Sequence, residues 1–190
     1  MRLTPTRYEE LNREAVCLFE DYGQSSFPLD VFALAGMMGI VLISYSSVPL
    51  AKRSAFTDIS KDAFTISSGS YGVNTTFICY NPSVGLGRLR QSIAHEIAHI
   101  WLEHPSSAEP YETEAEYFAA YLLTPIPLLI KYRFTTPRAV QAAFLTSFEA
   151  ARISLERAAN RMRCGKSAFD YEYRIIELAT LKGGGCLERA

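Results

Sequence analysis

His95-Glu96-Ile97-Ala98-His99 constrains this chain more than any other stretch. It reads H-E-x-x-H and uses two of the three histidines in the protein. On a helix, positions four apart lie on one face, about one turn above each other. Two imidazoles at that spacing can take two corners of a zinc tetrahedron. Glu96 is offset around the helix, where it can reach water at the metal instead of the metal itself. Two neutral nitrogen ligands, one base and one rigid element are what zinc-assisted hydrolysis requires.

The rest of the composition fits one soluble domain. The 190 residues suffice for a single core or a core with a small appendage, and 48% hydrophobic with 21% charged residues is ordinary globular usage. A net charge of −1 points to neither nucleic acid nor membrane. The polar stretch from Met1 to Glu10 lacks a signal-peptide apolar region, and the apolar run Val31 to Ile43 is too short to span a bilayer. Cys17, Cys79, Cys164 and Cys186 form no C-x-x-C pair, so reduced, mostly buried thiols in a cytoplasmic protein are expected.

Periodicity and turn chemistry give the elements. Helices are expected over Tyr8 to Asp21, from Pro28-Leu29-Asp30 to about Met38, from about Arg88 to Glu103, and over Tyr111 to Leu123. Strands are expected at Ile40 to Tyr45, Ala63 to Ser67 and Thr75 to Tyr80, with turn chemistry from Ser68 to Gly72. Thr124-Pro125 and Thr136-Pro137 each read as an N-cap followed by proline. Thr146-Ser147-Phe148-Glu149 reads as a capping box for a helix to about Met162, and a last helix starts near Ser167 to Asp170.

A catalytic zinc takes three protein ligands, so a third must come from elsewhere. His104 lies five residues past His99, about 140° around an intact helix, which excludes it from the same metal site. Glutamates on the next helix are nearer candidates. Glu112, Ala115, Glu116, Ala119, Leu122 and Leu123 share one small, apolar face, whereas Glu114 points elsewhere with Tyr117 and Tyr121. This phase makes Glu112 the ligand. Glu116, one turn on, becomes the acceptor for the outer nitrogen of a ligand histidine. Exchange of those two roles remains open.

The pentad, followed by Glu112-Thr113-Glu114-Ala115-Glu116-Tyr117-Phe118-Ala119-Ala120-Tyr121-Leu122-Leu123-Thr124-Pro125, resembles the ImmA/IrrE family of metallo-endopeptidases. Its pattern is H-E-x-G-H, then E-x-E-A-N-x-F-A-A-x-L-L-M-P. The family's third zinc ligand falls on Glu112, and its asparagine falls on Glu116. Ala98 stands for a glycine and Thr124 for a methionine. The resemblance implies an α+β fold: a mainly helical, zincin-like metallopeptidase domain over 1–132 with a small antiparallel sheet. A helical C-terminal segment with a helix-turn-helix outline follows over 133–190, able to pack with it as one unit.

The implied activity is zinc-dependent cleavage of a peptide bond in a cytoplasmic regulatory protein. A helix-turn-helix repressor of a phage, mobile element or stress response is the implied substrate, and no membrane is involved. Glu96 is the base that takes a proton from water and gives it to the leaving amine. Tyr71, Tyr80, Tyr117 and His104 are the candidate donors to the oxyanion. The strand Thr75 to Tyr80 could pair with an extended substrate. Arg88 and Arg90 read as surface charges. Lys131 to Lys166 holds eight basic and two acidic residues around a helix-turn-helix outline, so direct DNA contact is a second option beside a platform for a protein substrate. A non-proteolytic zinc-binding regulator, a DNA-binding factor or a toxin–antitoxin component of the same fold is the alternative function.

Overall fold

The computed structural model describes residues 3–70, 73–165 and 168–183. In order these form α1 (Pro5–Asp21), α2 (Val31–Met37), β1 (Val41–Ser44), α3 (Leu50–Ile59), β2 (Ala63–Ser70), β3 (Val73–Tyr80), α4 (Leu86–Trp101), α5 (Tyr111–Leu123), α6 (Ile126–Lys131), α7 (Pro137–Phe144), α8 (Phe148–Arg163) and α9 (Asp170–Gly183). No helix among the described residues is long and apolar enough to cross a membrane.

The fold is mainly helical, with a three-stranded sheet of order β1-β3-β2. The sheet is mixed where an antiparallel one was expected. β2 pairs antiparallel with β3, with Ala63 opposite Tyr80 and Ser70 opposite Val73, but β1 runs parallel to β3. The chain between β1 and β3, which contains α3 and β2, is long enough for the crossover a parallel pair needs. β3 therefore has a strand on each side, and the expectation that it pairs with substrate does not hold. The sheet's edges are β1 and β2, and of these β2 lines the cleft beside α4.

Capping explains several helix starts. Thr4, Asp30, Thr136 and Ser147 each accept backbone N–H groups at the heads of α1, α2, α7 and α8. The α8 cap is thus Ser147, one residue after the first of the expected capping box, and Thr146 is buried. Thr124 ends α5 instead of capping α6, which starts behind Pro125 without a side-chain cap. Helix α3 has no counterpart in the sequence reading. It buries no residue and has no capping side chain, so it carries neither of the signals that marked the others.

One core joins these elements. α4 buries Leu89, Ile93, Ala94, Ile97 and Ala98. It packs along α5, where Ala115 and Ala119 are fully buried and allow close approach. At its head, a Cβ on Gly87 would lie 2.6 Å from the Ser147 backbone nitrogen, so glycine alone lets α4 meet the α7–α8 turn. Arg90 is buried there, where a surface charge was expected. Its guanidinium donates to the carbonyls of Leu29 and Phe144, tying α4 to the segment before α2 and to the last residue of α7. Cys79 is buried, but Cys17 and Cys164 are exposed, against the expectation of mostly buried thiols; Cys186 lies outside the described residues.

Candidate metal centre

The face of α4 opposite the core carries Gln91, His95, Glu96 and His99 into a cleft of about 1170 Å³. α5 supplies Glu112 and Glu116, β2 supplies Thr65 and Ser67, and α8 closes the far side with Ile153, Ser154 and Arg157. Helical phase sets the first two faces, and the two-residue period of a strand puts Thr65 and Ser67 on one side of β2.

His95, His99 and Glu112 converge, each offering one ligand atom. The two Nε2 atoms are 3.1 Å apart. Glu112 reaches His95 Nε2 at 3.3 Å through Oε2 and His99 Nε2 at 3.2 Å through Oε1. Ligands about 2.0–2.1 Å from a tetrahedral zinc are separated by roughly 3.3 Å, so the triangle has the size zinc needs. A neutral imidazole lone pair and a carboxylate oxygen repel at such distances unless a proton or a cation lies between them. The donor set fits zinc.

Electrostatics agree with that use. Burial, and then the neighbouring His95, pushes the His99 pKa below its ordinary value, which keeps the ring neutral and able to ligate. Burial raises the pKa of Glu96. The Thr65 hydroxyl opposes this by donating to Glu96 Oε2 at 2.6 Å. Thr65 was not foreseen, because nothing local in β2 marks a residue that meets α4 across the fold.

The other expected residues are placed differently. Glu116 is exposed in the cleft and, among the described residues, makes no hydrogen bond to either ligand histidine. The outer nitrogen of His99 is met by His104, whose Nδ1 lies 3.0 Å away. His104 stays out of the metal triad, as expected, but it is not held to the helical phase, because α4 ends at Trp101. Glu103 adopts a left-handed φ of 51°, and the His104 N–H closes back on the His99 carbonyl at 3.0 Å. This Schellman-type reversal tucks His104 behind His99.

Both ring nitrogens of His104 are thus engaged, Nδ1 with His99 and Nε2 with Glu114. Tyr117 donates to Asn12, with its pKa pushed up to about 12 by burial, and does not line the cleft. Tyr80 packs edge-on against Phe32. Tyr71 lies outside the described residues.

Glu114 is the second residue that the sequence reading passed over. It is buried, its carboxylate held below the usual range by the Arg7 guanidinium, and it faces His104 at 3.3 Å. A signal was present: an acid in phase with Tyr117 and Tyr121 sits on an aromatic face, and a buried carboxylate demands a partner.

A protein-family model, Peptidase M78, described as the IrrE N-terminal-like domain, matches residues 43–170. That span contains the whole cleft, including the α8 wall. No curated protein matched the sequence.

Proposed function

Since the chain belongs to the Peptidase M78 family, the IrrE N-terminal-like domain, we propose that it is a zinc-dependent endopeptidase. The observation that carries this reading is the triangle of His95, His99 and Glu112 with Glu96 beside it on the same helix. The substrate is a cytoplasmic regulatory protein, with a helix-turn-helix repressor as the class the motif resemblance implies. An extended segment of it adds to the open edge of β2, which lines the cleft and has a partner strand on one side only.

A zinc ion at the triad supplies Lewis acidity, which acidifies water and polarises the carbonyl to be attacked. Glu96 does the proton work. Its burial makes it a better proton acceptor than an exposed glutamate, and the Thr65 hydroxyl fixes one carboxylate oxygen. It takes the proton as water attacks and returns it to the leaving amine.

Direct DNA contact through α7 and α8 would need α8 to be a free recognition helix. Instead α8 gives Ile153, Ser154 and Arg157 to the cleft, and its head is packed on Gly87. Its charges also have local uses. Arg152 pairs with Glu149 and Glu156, Arg161 pairs with Glu172, and Arg157 stands over the Tyr117 ring. These contacts support the substrate-platform reading of the C-terminal segment.

Glu96→Gln tests the proposal. The variant should keep its fold and its zinc, yet lose roughly 10²–10⁴-fold in cleavage of a co-expressed helix-turn-helix repressor that the wild type cleaves, followed by gel. Undiminished cleavage by a zinc-loaded Glu96→Gln protein would sink the peptidase mechanism.

A further inference from the structure

The nitrogen of His99 that faces away from the triad opens a chain of polar contacts leading to another helix. His99 Nδ1 is 3.0 Å from His104 Nδ1, and His104 Nε2 is 3.3 Å from Glu114 Oε2. Arg7, on α1, donates to both oxygens of Glu114, from Nε to Oε1 at 2.8 Å and from Nη2 to Oε2 at 2.6 Å. The His104 and Glu114 side chains are 2% and 9% exposed, so water does not compete along most of this path.

The direction of every hydrogen bond follows from the charged end. A carboxylate held by arginine can only accept. His104 must then carry its proton on Nε2 to donate to it. A neutral imidazole protonated on Nε2 has a lone pair on Nδ1. The 3.0 Å contact with His99 is a hydrogen bond only if His99 holds its proton on Nδ1. His99 Nε2, the atom in the triad, is thereby left bare.

We infer that Arg7, Glu114 and His104 are positioning residues that hold His99 in the tautomer presenting its Nε2 lone pair to the metal. The inference rests on reading the triad as a metal site. It also extends that site. Arg7 lies outside the 43–170 span of the family match, so α1 completes the metal centre of this chain from beyond the matched region. Partners behind metal-ligating histidines set ring orientation and basicity, and losing one typically lowers metal affinity by about 10–100-fold.

Two measurements on the full chain test it. The first is zinc affinity by chelator competition. His104→Phe keeps a ring of similar shape without an acceptor and should weaken zinc by roughly 10–100-fold. His104→Asn puts Oδ1 near the place of Nδ1 and should recover most of that loss. Equal affinity in wild type and His104→Phe overturns the inference, as does an Asn variant no better than Phe, which would assign the effect to packing. If the Phe variant does not fold by circular dichroism, Arg7→Met carries the same test, since Arg7 is 36% exposed. It should bind zinc several-fold more weakly, and wild-type affinity there overturns the chain of contacts.

The second measurement is imidazole nitrogen NMR of the metal-free protein. His99 should carry its proton on Nδ1 in wild type and lose that preference in whichever of the two variants folds. A wild-type His99 protonated on Nε2 overturns the inference. Failure of the wild type to bind zinc would instead count against the metal-site reading, and the tautomer measurement still decides the role of the three residues.

Discussion

Glu112 and Glu114 are two residues apart on α5, yet they stand on opposite sides of His99. In front, Glu112 is 34% exposed and faces two histidine nitrogens across an open cleft. Behind, Glu114 is buried and already bound by Arg7. The difference shows what decides a carboxylate's role here. The front acid meets only the two imidazole rings and no arginine or lysine, so its charge is available to a cation that arrives. The back acid has spent its charge on an arginine, and what it offers His104 is a fixed acceptor. Chemistry is confined to one side of the ring, and orientation is set from the other.

The largest expected effect comes from breaking the front. Glu112→Ala removes one corner of the triangle and should abolish stoichiometric zinc, measured as metal per folded chain by elemental analysis. Glu116→Ala, four residues on and on the same cleft wall, should bind zinc normally, because its carboxylate touches neither histidine. Normal metal in Glu112→Ala together with loss in Glu116→Ala would reverse the two assignments and the comparison with them. The Glu96→Gln loss of turnover with zinc retained ranks next.

The front was largely readable from sequence because it is written in local periodicity. H-E-x-x-H and the Glu112 phase both follow from 3.6 residues per turn, and the α4–α5 contact follows from Ala115 and Ala119 on the shared face. The back was not readable, for two reasons. His104 reaches His99 through a reversal at Glu103, a non-glycine residue in the left-handed region that no turn signal announces. Arg7 and Glu114 meet across 107 positions of chain, beyond any periodic pattern. The fold divides in the same way. Capped or amphipathic helices were visible, whereas α3 and the parallel pairing of β1 with β3 had no local mark.

A smaller effect sharpens the front itself. The Thr65 hydroxyl opposes the burial that raises the Glu96 pKa. Thr65→Val removes the donor at nearly constant volume, so the pKa of Glu96 should rise further. The base is then protonated over more of the acid range, and the acid limb of the kcat/KM profile should move to higher pH. Zinc content should be unchanged, because Thr65 touches none of the three ligand atoms. A profile identical to wild type would show that the 2.6 Å contact does not tune the base.

The smallest effect falls at the point where front and back join. Glu103 sits at φ 51° with its side chain exposed at the cleft, and its backbone makes the reversal that places His104. A left-handed conformation costs an L-residue about 1–2 kcal/mol. Glycine avoids that strain but gives back about 0.5–1 kcal/mol through its freer unfolded chain. Glu103→Gly should therefore stabilise by up to about 1 kcal/mol, a rise of roughly 2–4 °C in Tm for a chain of this length. The reversal is a backbone device, so His104 should stay behind His99 and zinc affinity should not change. A more stable protein with weaker zinc would mean that the Glu103 carboxylate acts on the metal from the front, and the division between the two sides of His99 would have to be redrawn to include it.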